Sequence, residues 1–174
     1  FTNNPVGESD TIFSEKDGKK VVDFIVYPAK KGEEWVGSAV ESKAMGFGGE
    51  LKVLVGFDAK GKIYNYSLLA HTETPGLGSK ADKWFGAYDA TKGEKAVTHE
   101  MSKKSIIGMS PGEGELKVSK DGGQVDAITA STITSRAFLN AINKAYEAYK
   151  TGEVDTVSGA SQKMNLPLLR KLKR

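Results

Sequence analysis

The sequence predicts an α+β fold, an antiparallel β-sheet meander packed against helices. Three observations predict it. Between residues 21 and 70, β-rich runs alternate with turns marked by Gly, Asp, Pro and Lys. In one of those runs Leu51, Val53, Val55 and Phe57 fall at every second position, the period of a strand with one face on a core. The long helical stretch, Arg136 to Lys150, follows the strands instead of separating them, which favours α+β over an alternating parallel fold.

Residues 1 to 20 are polar and turn-rich and are expected to form an N-terminal arm or a short helix. Val21 to Tyr27 is rich in β-branched and aromatic residues and should stop at Pro28. Trp35 to Ser42 is the next candidate strand, after a turn over Lys30 to Glu34. Glu50 to Phe57 then pairs with Ile63 to Ala70 across the turn Asp58-Ala59-Lys60-Gly61-Lys62. Ser79 to Tyr88 reads as a short helix with Trp84, Phe85 and Tyr88 in the core. Residues 89 to 124 are rich in Gly and Lys, with a strand expected around Leu116-Lys117-Val118 and a turn at Pro111-Gly112-Glu113-Gly114. The helical stretch RAFLNAINKAYEAYK contains neither Gly nor Pro. Ile133, Ala137, Ala141 and Ala145 recur every four residues, flanked by Phe138, Ile142, Tyr146 and Tyr149, as the stripe of a half-buried helix. Residues 21 to 150 therefore read as one domain, and 151 to 174 as a polar linker and a basic tail. The leucines of that tail can meet a membrane surface or a partner, or pack on the domain itself.

A chain of 174 residues holds one domain with a substantial core. Its 39% hydrophobic and 27% charged content is that of a globular protein, and a mixed net charge of +3 argues against nucleic acid as partner. Without cysteine there are no disulfides, iron–sulfur clusters or thiolate zinc sites. His71 and His99 have no partner at ligand spacing, so no metal site is expected. No stretch reads as a membrane span or signal peptide, and a chain beginning at Phe1 reads as a processed or truncated product.

Two stretches carry chemistry. The first, Asp126-Ala127-Ile128-Thr129-Ala130-Ser131-Thr132-Ile133-Thr134-Ser135, puts five hydroxyls into seven positions directly before the helix. A helix start exposes unpaired N–H groups and the positive end of the macrodipole. The hydroxyls can cap it, bind an anion such as a phosphate, or be joined to one covalently. One cap residue would suffice, so five exceed what capping needs. The second stretch, Glu73-Thr74-Pro75-Gly76-Leu77-Gly78, closes the last strand. Pro-Gly alone marks a turn. Its glycines also let backbone approach a flat ring, Leu77 can cover a ring face, and Thr74 can hydrogen-bond ring heteroatoms.

Together the two stretches resemble a flavoprotein family, that of the G subunit of the Rnf electron-transport complex and the related C subunit of the sodium-translocating NADH:quinone reductase. That family carries Glu-Thr-Pro-Gly-Leu-Gly, present here without a substitution, and Asp-x-x-Ser-Gly-Ala-Thr-x-Thr-Ser. The second motif matches at Asp126, Thr132, Thr134 and Ser135 and departs at Thr129 for Ser, Ala130 for Gly and Ser131 for Ala. Glycine would permit a positive φ that alanine resists. Either the backbone at 130 is ordinary, or recognition by the flavin-attaching enzyme is altered. The similarity covers roughly residues 21 to 150.

The resemblance implies an FMN-binding domain with flavin mononucleotide (FMN) joined to Thr132 by a phosphoester. Thr129, Ser131, Thr134 and Ser135 would lie around the phosphate, and Glu73, Thr74, Pro75, Gly76, Leu77 and Gly78 against the ring. It implies an electron carrier in an ion-translocating, Rnf-type ferredoxin:NAD oxidoreductase complex, with other subunits of a membrane complex as partners. An FMN transferase would act on it in trans, so no base for the attachment is needed in this chain. The domain would sit on the extracytoplasmic, periplasmic face, anchored by an N-terminal helix missing from this sequence, with no independent catalysis of its own. Two rivals stand beside this reading. One is a non-flavinylated interaction module with the same fold; the other is a Ser/Thr hydrolase, which lacks a G-x-S-x-G elbow and a histidine with an assignable base role.

Overall fold

The computed structural model describes residues 10–86 and 97–157. Five strands form one antiparallel sheet in sequence order: β1 (Asp10–Lys16), β2 (Lys19–Lys31), β3 (Glu34–Met45), β4 (Glu50–Asp58) and β5 (Ile63–Ala70). A 3-10 turn, Gly78–Lys80, runs into the short helix α1 (Ala81–Trp84), and the long helix α2 spans Thr132–Val157. The expected α+β meander is therefore the fold, and β4 and β5 fall where alternation and the Asp58–Lys62 turn place them. In that turn the Asp58 carboxylate accepts the Lys60 and Lys62 N–H groups.

The sheet's inner face meets α2. Val40 and Ala44 of β3 pair with Val55 and Leu51 of β4, and all four are buried. Against them α2 sets Ala137, Phe138, Ala141, Ile142, Ala145, Ala148 and Tyr149. Alanine at every fourth position lets the helix axis approach the sheet, and large rings close the two ends of the interface. Phe138 stacks on Phe85, with centroids 4.5 Å apart and planes at 8°, and meets Tyr66 edge-on at 4.8 Å. At the other end Tyr149 packs on Phe57 at 5.0 Å and donates its hydroxyl to the Asp58 carbonyl at 2.6 Å. Tyr66 in turn donates to the Ala81 carbonyl (2.6 Å), which ties α1 to β5, and burial pushes its phenol pKa up.

Four expectations are corrected. Where an arm or short helix was expected, residues 10–16 are a strand. Asp17 and Gly18, at φ 54° and 73°, make the tight left-handed turn that pairs β1 with β2. Pro28 does not end β2. Among the described residues that strand pairs beyond Val26 with β3 alone, and a strand side without a ladder partner tolerates a missing N–H. Leu116–Val118 is not a strand, and among the described residues the ladder there is a single parallel bridge, Val118↔Val125. The Asn143 side chain takes the partner strand's role, accepting the Leu116 N–H and donating to its carbonyl, both at 2.9 Å. Finally, α2 begins before Arg136 and runs past Lys150, and Ile133 stands outside the buried stripe at 53% exposed. Tyr88 and most of the expected tail lie outside the described residues, within which no helix is long and apolar enough to cross a membrane.

Candidate functional site

The hydroxyl-rich stretch wraps the start of α2. Ser131 N–H donates to the Ile128 carbonyl (3.0 Å), and the Ser131 carbonyl accepts the Ser135 N–H (3.0 Å), the first bond of the helical ladder. The Ser135 hydroxyl, fully buried, accepts the Ile128 N–H (3.0 Å) and donates to the Ser131 carbonyl (2.9 Å). This loop closes only because Ala130 takes φ 59°. Of the two alternatives for that position, an ordinary backbone is overturned: the chain adopts the left-handed conformation that glycine takes without strain.

The five hydroxyls divide sharply. Those of Thr134 and Ser135 are buried and committed to internal hydrogen bonds. Thr129 is exposed on the loop, Ser131 is buried, and Thr132 is half-buried at the head of the helix. Among the described residues none of these last three has a side-chain hydrogen-bond partner. Of the three, Thr132 alone belongs to the first turn, where N–H groups have no intrahelical acceptor.

The second stretch meets the first through Glu73. One carboxylate oxygen accepts the Gly48 N–H at 3.0 Å, and the other accepts the Thr134 hydroxyl at 2.5 Å. Gly78 lies beside this contact: a Cβ there would sit 2.6 Å from Glu73 Oε2 and 2.7 Å from Thr134 Oγ1. On the far side, Cβ atoms at Gly46 and Gly48 would overlap the Glu73 carboxylate and the Thr72 carbonyl. Thr72 also donates its hydroxyl to the Gly48 carbonyl (2.9 Å). Gly78 is thus small where the carboxylate and the helix meet. Gly76, at φ 75° with open space around it, forms the turn over Thr74–Ser79, in which the Thr74 carbonyl accepts both the Leu77 and Ser79 N–H groups. Thr74, Pro75, Gly76 and Leu77 are exposed, while Glu73 faces inward and its oxygens are used within the protein.

Four large apolar side chains on or next to these segments are exposed. Met45 and Phe47 are each 71% exposed, Leu77 40% and Ile133 53%. Met45 ends β3, Phe47 sits on the β3–β4 loop, Leu77 on the Glu73–Gly78 loop and Ile133 on the first turn of α2, and Glu73 joins these last three segments. A groove of about 580 Å³ runs beside the helix start, with Met45, Ile133, Leu116 and Asn140 in its lining. At its rim Arg136 donates twice to the Asp121 carboxylate, both at 2.7 Å, and these hydrogen bonds hold that carboxyl below its ordinary range. Large exposed apolar side chains are candidate contact points for a ligand or partner. Sequence reasoning missed Met45 and Phe47, although one phenylalanine among three glycines was a signal that the loop carries it outward. It had no means of finding Asn143 or the inward turn of Glu73, which depend on tertiary contacts.

A family model described as FMN-binding domain matches residues 46–147, which takes in both stretches and most of α2. The chain belongs to the FMN-binding domain family. This FMN-binding domain is also similar to proteins named as the G subunit of an ion-translocating oxidoreductase complex. It is 31% identical over 148 residues to one from Vibrio cholerae serotype O1, covering 84% of this chain and 66% of that protein. It is 35% identical over 119 residues to one from Shewanella loihica (68% and 51%), and 34% identical over 140 residues to one from Vibrio parahaemolyticus (80% and 61%). The family resemblance read from the two motifs is borne out. The chain spans about half to two thirds of the length of these relatives.

Proposed function

We propose that this FMN-binding domain is a one-flavin electron carrier, with FMN held covalently on Thr132, in an ion-translocating oxidoreductase complex of the Rnf type on the extracytoplasmic face of a membrane. The observation that carries the reading is the division of the hydroxyls: among the described residues Thr132 stands at the helix start without a side-chain hydrogen-bond partner, while Thr134 and Ser135 are spent on the fold. The residues fit the group. A phosphodiester on Thr132 Oγ1 would lie at the positive end of α2, whose open first-turn N–H groups stabilise its negative charge. Exposed Phe47, Leu77, Ile133 and Met45 supply apolar surface that sheds water against a flat ring.

When bound, flavin supplies one- and two-electron redox chemistry. The protein's part is to hold, orient and partly desolvate it. Attachment forms an Oγ1–P bond as the Thr132 Oγ1–H bond and the flavin donor's P–O bond to its leaving group break, the proton and that group departing, so the net addition is FMN less one water. The names of the relatives support partners among the other subunits of such a complex. We infer that ferredoxin and NAD are its terminal donor and acceptor, that a separate FMN transferase loads the domain, and that a membrane anchor belongs to the longer protein.

Thr132→Ala tests the attachment. Produced in a host that contains the transferase, the unaltered protein should stay yellow through denaturing gel filtration, and Thr132→Ala should emerge colourless. Retained colour in the variant would refute the assignment.

A further inference from the structure

Glu73 is 5% exposed, and among the described residues it forms no ion pair. A carboxylate so deeply placed needs strong donors. Here they are neutral, one on each oxygen: the Gly48 N–H from the β3–β4 loop, and the Thr134 hydroxyl from the first turn of α2. The glycines at 46 and 78 keep free the volume this carboxylate fills. Thr134 is two residues from Thr132 on the same helical turn, so whatever fixes Thr134 also fixes where Thr132 presents its hydroxyl. The same carboxylate fixes the loops that expose Phe47 and Leu77.

We propose that Glu73 is a positioning residue: its carboxylate locks the first turn of α2 against the Gly46–Gly49 and Glu73–Gly78 loops, and so sets the place of Thr132 relative to the apolar surface around it. The assignment deepens the flavin reading and rests on it for its effect on loading. Glu73 touches neither the modified oxygen nor the reacting phosphorus. Its effect passes through Thr134 and Gly48. A shift of about an ångström in a presented nucleophile can cost on the order of a hundredfold in rate, so a loosened turn has a measurable effect.

The test uses Glu73→Gln and Thr134→Val in this chain, singly and together, with the transferase. Each single variant should take up flavin at least about tenfold more slowly than the unaltered protein. The double variant should be no slower than the worse single one, because both break the same contact. Amide hydrogen exchange at Gly48 and at Ser135 should accelerate together in each single variant, although the two lie on different segments. Ile63→Val, a core substitution away from these loops, serves as the stability control and should load at the unaltered rate. Unchanged loading in both single variants would overturn the proposal, as would a loss matched by the Ile63→Val control at the same thermal midpoint. Should the unaltered chain take up no flavin at all, the Thr132 reading falls and exchange alone decides the lock. Coupled acceleration at Gly48 and Ser135 then supports it, and acceleration at neither or at only one refutes it.

Discussion

Ala130 holds its backbone at φ 59°, where the Cβ of an L-residue crowds the following carbonyl oxygen at a cost of about 1–2 kcal/mol. The loop demands this conformation because Ser131 and Ser135 must both reach back to Ile128. Ala130→Gly removes the crowding but adds chain entropy to the unfolded state, a loss of about 0.5–1 kcal/mol. The expected net effect is a gain of roughly 0.5–1 kcal/mol, read as a higher urea midpoint at unchanged slope. A lower midpoint would show that alanine is not strained there. At this scale the sequence spoke clearly where chemistry is local. A departure from glycine at 130 announced that the position matters, though not which way the backbone turns. The inward orientation of Glu73 was illegible because its partners, Gly48 and Thr134, are 25 and 61 residues away along the chain.

Among the elements, α2 organises the molecule, since its buried face covers β3 and β4 and its first turn carries the proposed attachment residue. Phe138 lies one turn beyond Thr134, fully buried between Phe85 and Tyr66. Phe138→Ala should therefore cost about 3–5 kcal/mol, the range for emptying an aromatic core position. A loss under about 1 kcal/mol in equilibrium urea unfolding would contradict this packing. β4 and β5 were legible because a period of two and a Gly-containing turn are local signals. β1 was hidden in a polar segment, with the Asp17-Gly18 turn as its one strong cue. The Leu116–Val118 strand was misread because its apolar residues do face the core, but Asn143 satisfies the Leu116 backbone in place of a neighbouring strand. The early start of α2 was obscured because Thr and Ser are weak helix formers, and here they are held helical by Glu73 and Ile128.

For the whole molecule, the role proposed above is that of an electron relay with no nicotinamide chemistry of its own. A Rossmann-type dinucleotide site places a glycine-rich turn between strand and helix. Gly46-Phe47-Gly48-Gly49 leads instead into β4 and is packed against Thr72 and Glu73. Among the described residues, the turn at Gly112–Gly114 precedes no helix longer than a 3-10 turn until α2. Flavin-loaded domain mixed with NADH should stay yellow over many minutes and be bleached by dithionite; rapid bleaching by NADH would place it among the dehydrogenases. The α+β architecture and family were readable from sequence because both motifs are contiguous, whereas the lock that joins them exists only once the sheet and α2 have packed. The central claim is the covalent flavin on Thr132, and one tryptic fragment tests it. Asp121–Arg136, released by cleavage after Lys120 and Arg136, contains all five hydroxyls. Its fragmentation spectrum, taken on protein from a transferase-containing host, should place one FMN less one water on Thr132. The unmodified peptide alone, or the increment on Thr129, Ser131, Thr134 or Ser135, would contradict the account.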